Sequence, residues 1–267
     1  MTDLSTQQME STASWYQKLL VPALFEPWTS LVLHEVQLNA TDRLLDVACG
    51  TGVLARAAAN KLSTEGQVAG LDINLGMLRV AESLSPNIEW HKGIAEDLPW
   101  QDHTFDAVVC QFGLMFFENR EQALKEMYRV LKPGGPLVVT AFDSLDHISG
   151  YERIIKVYAK VAGEAIAKAL QFPFSFGDVE ELEALCAACG ITSSGIITHE
   201  AEARFPDLIT MVLADVKGWF PLAGITLEQK KINQIVSQSE MELKDFIAPD
   251  GSVKFTVSAH FIAALKN

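Results

Sequence analysis

The sequence predicts a doubly wound α/β fold, a mostly parallel sheet of seven strands with helical insertions. Three observations carry that expectation. Over the first two thirds of the chain, short apolar runs alternate with amphipathic stretches, which means a parallel sheet with right-handed crossovers. A glycine-rich turn follows the first apolar run, where ligands bind in such sheets. The 267 residues are 49% hydrophobic, enough for one decorated α/β domain.

The elements follow in order. Arg43–Val47 (RLLDV), Gln67–Leu71 (QVAGL), Ile88–His91 (IEWH), Ala107–Gln111 (AVVCQ) and Leu137–Phe142 (LVVTAF) read as buried strands. Between them, Met77, Val80, Ala81 and Leu84 recur at helical spacing, as do Leu124, Met127, Tyr128 and Leu131. Asp178–Cys189 reads as a helix stopped by Gly190. Ile196–Phe205 reads as a strand, Pro206–Phe220 and Leu227–Phe246 as helical stretches. A Pro249–Asp250–Gly251 turn then leads into a last strand, Val253–Ala264. No Ser/Gly-rich linker divides the chain, so a single domain is expected over residues 1–267. Its parts are a cofactor-binding core (41–142) and two helical insertions, Tyr151–Leu170 and Pro206–Phe246, which cover the site.

The chemistry starts at Leu44–Gly52 (LLDVACGTG). The first strand ends in an acid, Asp46, and a turn with Gly50 and Gly52 opens a helix. Glycine lets the backbone turn tightly and lets a ligand approach it. Gly50–Thr51–Gly52–Val53–Leu54–Ala55 also fits the dinucleotide fingerprint G-x-G-x-x-A. Asp72, 20 residues after Gly52, ends the second strand, where a carboxylate accepts hydrogen bonds from two ribose hydroxyls. On this pair alone, NAD and S-adenosylmethionine both stay open. The position of Asp46 separates them: a carboxylate there opposes a pyrophosphate but suits an ammonium or a sulfonium.

Together with Gly93–Trp100 (GIAEDLPW), Phe105–Gln111 (FDAVVCQ) and Val130–Pro136 (VLKPGGP), this loop resembles the class I S-adenosylmethionine-dependent methyltransferases, of the type 11 small-molecule kind. The motifs run in the right order from about Arg43 to Phe142. Gln111–Gly135 (QFGLMFFENREQALKEMYRVLKPGG) looks like the ubiquinone and menaquinone C-methyltransferase group, whose C-terminal pattern does not continue here. The resemblance implies S-adenosylmethionine as cofactor and in-line methyl transfer. It also implies an N-terminal helical cap (1–40) and a last strand lying antiparallel beside Ile196–Phe205. The cofactor-contacting positions it implies are Tyr16, Asp46, Ala48, Cys49, Gly50, Gly52, Asp72, Ile73, Met77, Ile94, Ala95, Glu96, Gln111 and Phe112. Two of them depart from the family pattern. Ala48 replaces the first glycine of the loop. Ile94 stands where many relatives carry Asp or Asn against the adenine, leaving that role to the Ala95 backbone N–H between the apolar walls Ile94 and Ile73.

Other constellations carry less. Cys186 and Cys189 share an apolar helix face with Leu182 and Leu185, which reads as core packing rather than a metal or redox site; no metal is expected. Cys49 reads as a small turn residue. His147, a few residues beyond the fifth strand, is the one candidate base, for a hydroxyl or amine nucleophile; the alternative is an exposed loop histidine. His34, His91, His103, His199 and His260 read as surface or strand residues. Tyr16 either bonds the methionine carboxylate or packs with Trp15, Phe25 and Trp28 on the sheet. Phe172, Phe174, Phe176, Trp219 and Phe220 either line an apolar pocket or form the insertions' own core.

A formal charge of −13 disfavours nucleic acid and anionic membrane partners. Met1–Ser14 has neither the basic start nor the apolar core of a signal peptide. A cytoplasmic enzyme acting on a small apolar or aromatic metabolite is expected, with its oligomeric state open. The rival classes are an NAD(P)-dependent oxidoreductase and a non-catalytic cofactor-binding relative.

Overall fold

The structure, a computed structural model, describes residues 6–191 and 195–267. The first five residues of the expected N-terminal cap lie outside the described residues. Seven strands form one sheet: β1 Arg43–Val47, β2 Gln67–Asp72, β3 Glu89–Lys92, β4 Ala107–Gln111, β5 Pro136–Phe142, β6 Gly195–Phe205 and β7 Val253–Leu265. Their order is β3-β2-β1-β4-β5-β7-β6. β1 pairs in parallel with both β2 and β4, so the strand order reverses at β1 and opens a crevice beyond its carboxyl end. β7 runs antiparallel to both of its neighbours, β5 and β6. β1, β4 and β5 are buried almost throughout, which is why each reads as a continuous apolar run. The edge strand β6 instead carries His199, Glu200, Glu202 and Arg204, charges that discourage pairing with another chain.

Among the described residues ten α-helices flank the sheet: α1 Thr6–Trp15, α2 Glu26–Val36, α3 Val53–Ala59, α4 Leu75–Leu84, α5 Arg120–Val130, α6 Ser149–Ala162, α7 Glu164–Gln171, α8 Val179–Ala188, α9 Leu208–Leu213 and α10 Gln229–Glu242. α1 and α2 are joined by a π-helical stretch, Tyr16–Phe25, that contains Pro22. Proline offers no N–H to the helical ladder, and the widened turn absorbs that defect. A second π-helical turn, Ala214–Trp219, follows α9, and a 3₁₀ turn, Phe220–Ala223, ends at Gly224. Among the described residues no helix is long and apolar enough to cross a membrane.

Several expectations need correction. The third strand begins at Glu89 rather than Ile88. Tyr151–Leu170 is two helices broken at Gly163, whose φ of 103° no ordinary helical residue adopts. Pro206–Phe220 is interrupted by the π turn, and α10 stops at Glu242 ahead of a 3₁₀ turn, Lys244–Phe246. Cys186 is buried, but Cys189 caps the end of α8, half-exposed, with its thiol donating to the Glu121 carbonyl. His260 is a buried strand residue: Nδ1 meets the Thr198 hydroxyl at 2.9 Å and Nε2 lies 3.2 Å from Asp143. Of the insertion aromatics, Phe174 and Phe220 are core, whereas Phe172 is 45% exposed.

Two non-glycine residues sit in the left-handed region at the switch point: Ala48, just after β1 (φ 57°), and Phe112, just after β4 (φ 55°). Each costs roughly 1–2 kcal/mol. Phe112 offsets this by stacking on Phe142, with centroids 3.9 Å apart and planes 7° from parallel, and by an edge contact to Trp28. Ala48 has only a methyl to offer. Replacing it by the family's glycine, Ala48→Gly, is expected to stabilise the fold by about 0.5–1 kcal/mol after the larger unfolded-state entropy of glycine. Urea denaturation reads this directly. A lower midpoint would show that the methyl's packing outweighs the strain.

Candidate active site

Beyond the carboxyl ends of β1 and β2 the glycine loop is held by two carboxylates. Asp46 Oδ2 accepts the Ala55 N–H at 3.0 Å, in the first turn of α3. Asp72 spans two segments: Oδ2 accepts the Gly50 N–H and Oδ1 the Asn74 N–H, both at 2.8 Å. Asn74 in turn caps α4 by accepting from Gly76 and Met77. A carboxylate has about four acceptor sites, so Asp72 keeps capacity for a further donor.

The two glycines of the loop serve different ends. Gly50 (φ 55°) has nothing within 4 Å of the position a Cβ would take, so a ligand can approach its backbone. Gly52 (φ 78°) lacks that freedom. A Cβ there would lie 2.4 Å from the Trp90 ring, which also crowds Gly70 at 2.4 Å. Gly52 therefore makes room for Trp90.

One cleft gathers Tyr16, Asp46, Ala48, Cys49, Gly50 and Gln111, together with Phe25, Thr51, Val53 and Leu54, which were not expected from the sequence. The cleft is partly open, with the N-terminal segment on one side and the glycine loop on the other. Gln111 donates to the Phe25 carbonyl at 3.1 Å, while its Oε1 and the Thr51 hydroxyl are buried with no partner among the described residues. Arg56, also missed, bonds the Thr51 carbonyl and reaches Gln17 at 3.4 Å, tying α3 to the N-terminal segment.

Beside Asp72, Ile73 is 65% and Ile94 44% exposed, an apolar pair next to a carboxylate. Ala95 is buried below them. The other expected residues are engaged elsewhere. Met77 is buried in a cluster with Ala13 of α1. Glu96 accepts the Asn119 N–H at 3.2 Å, ahead of α5. Phe112 is locked in its stack. His147 stands outside this cleft on the exposed rim, Nδ1 3.0 Å from Asp143, which raises its pKa.

Burial pushes the Asp46 carboxyl up to about 8 despite the Ala55 hydrogen bond, and the neighbouring Asp72 adds to the effect. Asp72 is raised too, first by burial and against its backbone hydrogen bonds. Two carboxyls strained against ionisation, an open glycine and two orphaned polar atoms fit a cationic, amino-acid-bearing nucleoside. The comparison with known families decides the matter: residues 10–199 match the model of the ubiE/COQ5 methyltransferase family.

The chain belongs to the ubiE/COQ5 methyltransferase family. It is thus an enzyme, a methyltransferase that uses S-adenosylmethionine, and the oxidoreductase and non-catalytic readings find no support. A demethylmenaquinone methyltransferase of Staphylococcus carnosus is 35% identical over 176 residues, 61% of this chain and 73% of that one. A ubiquinone/menaquinone biosynthesis C-methyltransferase of Neisseria gonorrhoeae is 40% identical over 126 residues, 46% and 51% of the two chains. This methyltransferase thus spans about half to three quarters of such relatives. Two solved structures share the fold. A methyltransferase from Anabaena variabilis has a TM-score of 0.63 at 16% identity, covering 88% of this chain and 95% of that one. Phosphoethanolamine N-methyltransferase 2 of Haemonchus contortus has a TM-score of 0.60 at 19% identity, with coverages of 96% and 57%.

The raised Asp46 predicts how the ligand-free methyltransferase responds to pH. Its folded pKa, about 8, exceeds the unfolded value of 3.8, so the folded state holds the extra proton between them. Stability from this group is fully present below about pH 4 and is lost as pH rises through about 8. Thermal unfolding of Asp46→Asn is expected to fall less steeply over that window than wild type. Identical slopes would mean that Asp46 is already ionised.

Proposed function

We propose that this enzyme methylates a small, apolar, hydroxyl-bearing aromatic acceptor of the quinol class. The observation that carries the proposal is an aromatic mouth. Phe116, in the turn after β4, packs against Phe172 (5.6 Å), just beyond the first insertion, and Trp219 (5.7 Å) of the second. Phe116 and Phe172 are each 45% exposed, although aromatic rings of this size normally hide. Relatives named for demethylmenaquinone and for ubiquinone and menaquinone biosynthesis support the same class. The charge of −13 favours a small acceptor over a polyanionic one.

When bound, S-adenosylmethionine supplies a methyl already activated on a sulfonium. The protein's part is to bind, align and exclude water. In this reading Asp72 takes the ribose hydroxyls with its remaining capacity, and Ile73 and Ile94 flank the adenine. Asp46, the Gln111 Oε1 and the Thr51 hydroxyl receive the amino-acid end, with Tyr16 above them. α6, α7, α9 and α10 cover the acceptor.

Two outcomes test this. Asp72→Ala is expected to weaken S-adenosylmethionine binding by roughly 1.5–3 kcal/mol per charged hydrogen bond lost. Because Asp72 also holds Gly50, its backbone amide should exchange faster in the variant. Calorimetry showing affinity within about twofold of wild type, roughly 0.4 kcal/mol, would remove Asp72 from the site. The acceptor reading is tested by methyl transfer from labelled S-adenosylmethionine to reduced naphthoquinones. Phe116→Ala and Trp219→Ala should each raise the acceptor KM about tenfold, roughly 1.4 kcal/mol of lost contact, and leave donor affinity unchanged. Methylation of a protein or nucleic acid, with the reduced quinones ignored, would overturn it.

A further inference from the structure

The cofactor cleft makes no use of another buried acid, Asp215, in the π-helical turn Ala214–Trp219. Asp215 is 1% exposed. The hydroxyl of Tyr158, on α6, donates to its Oδ2 at 3.1 Å, while Oδ1 is buried with no hydrogen-bond partner among the described residues. Tyr158 is itself fully buried and meets Phe220 edge-on at 5.3 Å. The titratable groups felt at Asp215 are Tyr158 and Tyr151, both of α6, and among the described residues no cation is paired with it. A dry carboxylate with one empty acceptor atom is costly, and a catalytic role is one of the reasons for which structures retain such a group.

Asp215 is linked to the methyl-transfer cleft from two sides. On one side runs a line of rings. Tyr16 of the cleft stacks on Phe25 at 5.2 Å, Phe25 meets Phe142 at 6.2 Å, Phe142 meets Phe174 at 5.1 Å and Phe174 meets Tyr151 at 5.0 Å. On the other side, the turn that carries Asp215 also carries Gly218, where a Cβ would lie 3.2 Å from the Tyr16 backbone, and Trp219 of the aromatic mouth. The turn lies outside residues 10–199, so the family match does not account for it.

We propose that Asp215 accepts the hydroxyl proton of the acceptor and that Tyr158 positions its carboxylate. The assignment rests on the hydroxyaromatic reading above and names the base for that chemistry. The acceptor reaches Oδ1 by parting the contacts of Phe116 with Phe172 and Trp219. The O–H bond breaks and its proton moves to Oδ1. The electron pair left on the acceptor forms a bond to the methyl carbon as the carbon–sulfur bond breaks, and that bond's pair stays on sulfur, turning sulfonium into thioether. Where a ring carbon is methylated, the proton on that carbon returns to the oxygen by tautomerisation. Asp215 passes its proton to solvent when the product leaves, so one proton is released for each sulfonium charge lost. Burial raises the Asp215 carboxyl to about 8 against the Tyr158 hydrogen bond, which lowers it. The basic form therefore grows with pH up to that value, in the range that suits a general base.

The experiment measures methyl transfer from labelled S-adenosylmethionine to 1,4-dihydroxynaphthalene, kept reduced, between pH 6 and 9.5. The donor is saturating, so the titration of Asp46 does not enter. Wild type should show a rate that climbs with pH to a plateau above about 8. Asp215→Asn should lose at least about a hundredfold in rate, together with the pH limb, while calorimetric affinity for S-adenosylmethionine stays within twofold. Tyr158→Phe should remain active with its limb moved to higher pH, which a merely structural role would not produce. Asp215→Asn with the wild-type rate and limb overturns the assignment, as does an unmoved limb in Tyr158→Phe should Asp215→Asn fold poorly. Wild type that binds S-adenosylmethionine yet methylates no hydroxyaromatic sinks the acceptor reading, and this assignment with it.

Discussion

The carboxylate of Asp72 is the tie on which the cleft depends. Its two oxygens accept one N–H from the glycine loop after β1 and one from the start of α4, so a single side chain at the end of β2 sets two neighbouring segments. Asp46 does the same for α3, where a carboxylate against the N-terminal N–H groups is favoured by the helix dipole. Asp46 is buried and Asp72 half-buried for this work, and desolvation lifts both pKa values. Neither is compensated by a full ion pair among the described residues; Arg56 only softens the shift at Asp46. Two uncompensated, desolvated acids are an expensive way to shape a loop. It becomes economical once a cationic ligand restores the balance, which is why the shape of the loop and the charge of the methyl donor belong to one design.

Strain is stored beside that tie. Ala48 and Phe112 are the first residues after the two strands that part at the switch point, and both are left-handed. Such residues persist only where the surroundings over-determine them. For Phe112 the surroundings are visible: Phe142 beneath it, Trp28 and Phe25 against its edge. The turn after β4 is thereby aimed so that Gln111 faces the cleft and Phe116 faces the aromatic mouth. One stacked pair of rings thus orients both the glycine-loop cleft and the aromatic mouth.

Much of this was legible in the sequence, for a physical reason. Strands buried on both faces must be apolar throughout, so β1, β2, β4 and β5 announce themselves. Asp46, Gly50 and Asp72 fall at strand ends, where position alone implies a ligand. Legibility fails where a residue's role is set by a distant partner. Gly52 looks like a ligand-binding glycine, but Trp90 occupies its missing Cβ, and nothing in β3 foretells that its indole reaches across to β1. Met77 carries a helical stripe like any other and is claimed by Ala13 of a helix more than sixty residues away. Asp215 sits in a stretch that reads as amphipathic helix, and only tertiary packing buries it against Tyr158.

The N-terminal segment forms one wall of the cleft, with Tyr16 and Phe25 facing the glycine loop. Two of the polar contacts that hold that segment are weak. Arg79 meets Glu10 at 3.4 Å with both side chains half-exposed, a pair worth less than about 1 kcal/mol, and Arg56 reaches Gln17 at 3.4 Å. Its firmest seat is steric: Gly76 lets the Met9 backbone settle where a side chain would collide, and Ala13 packs on Met77 and Val80. That seat joins α1 to α4, and the Asp72 carboxylate fixes the start of α4. The wall of the cleft and the start of α4 are thus one packed unit, set by the same side chains. Polar atoms fixed in this way before a ligand arrives leave less ordering to be done on binding.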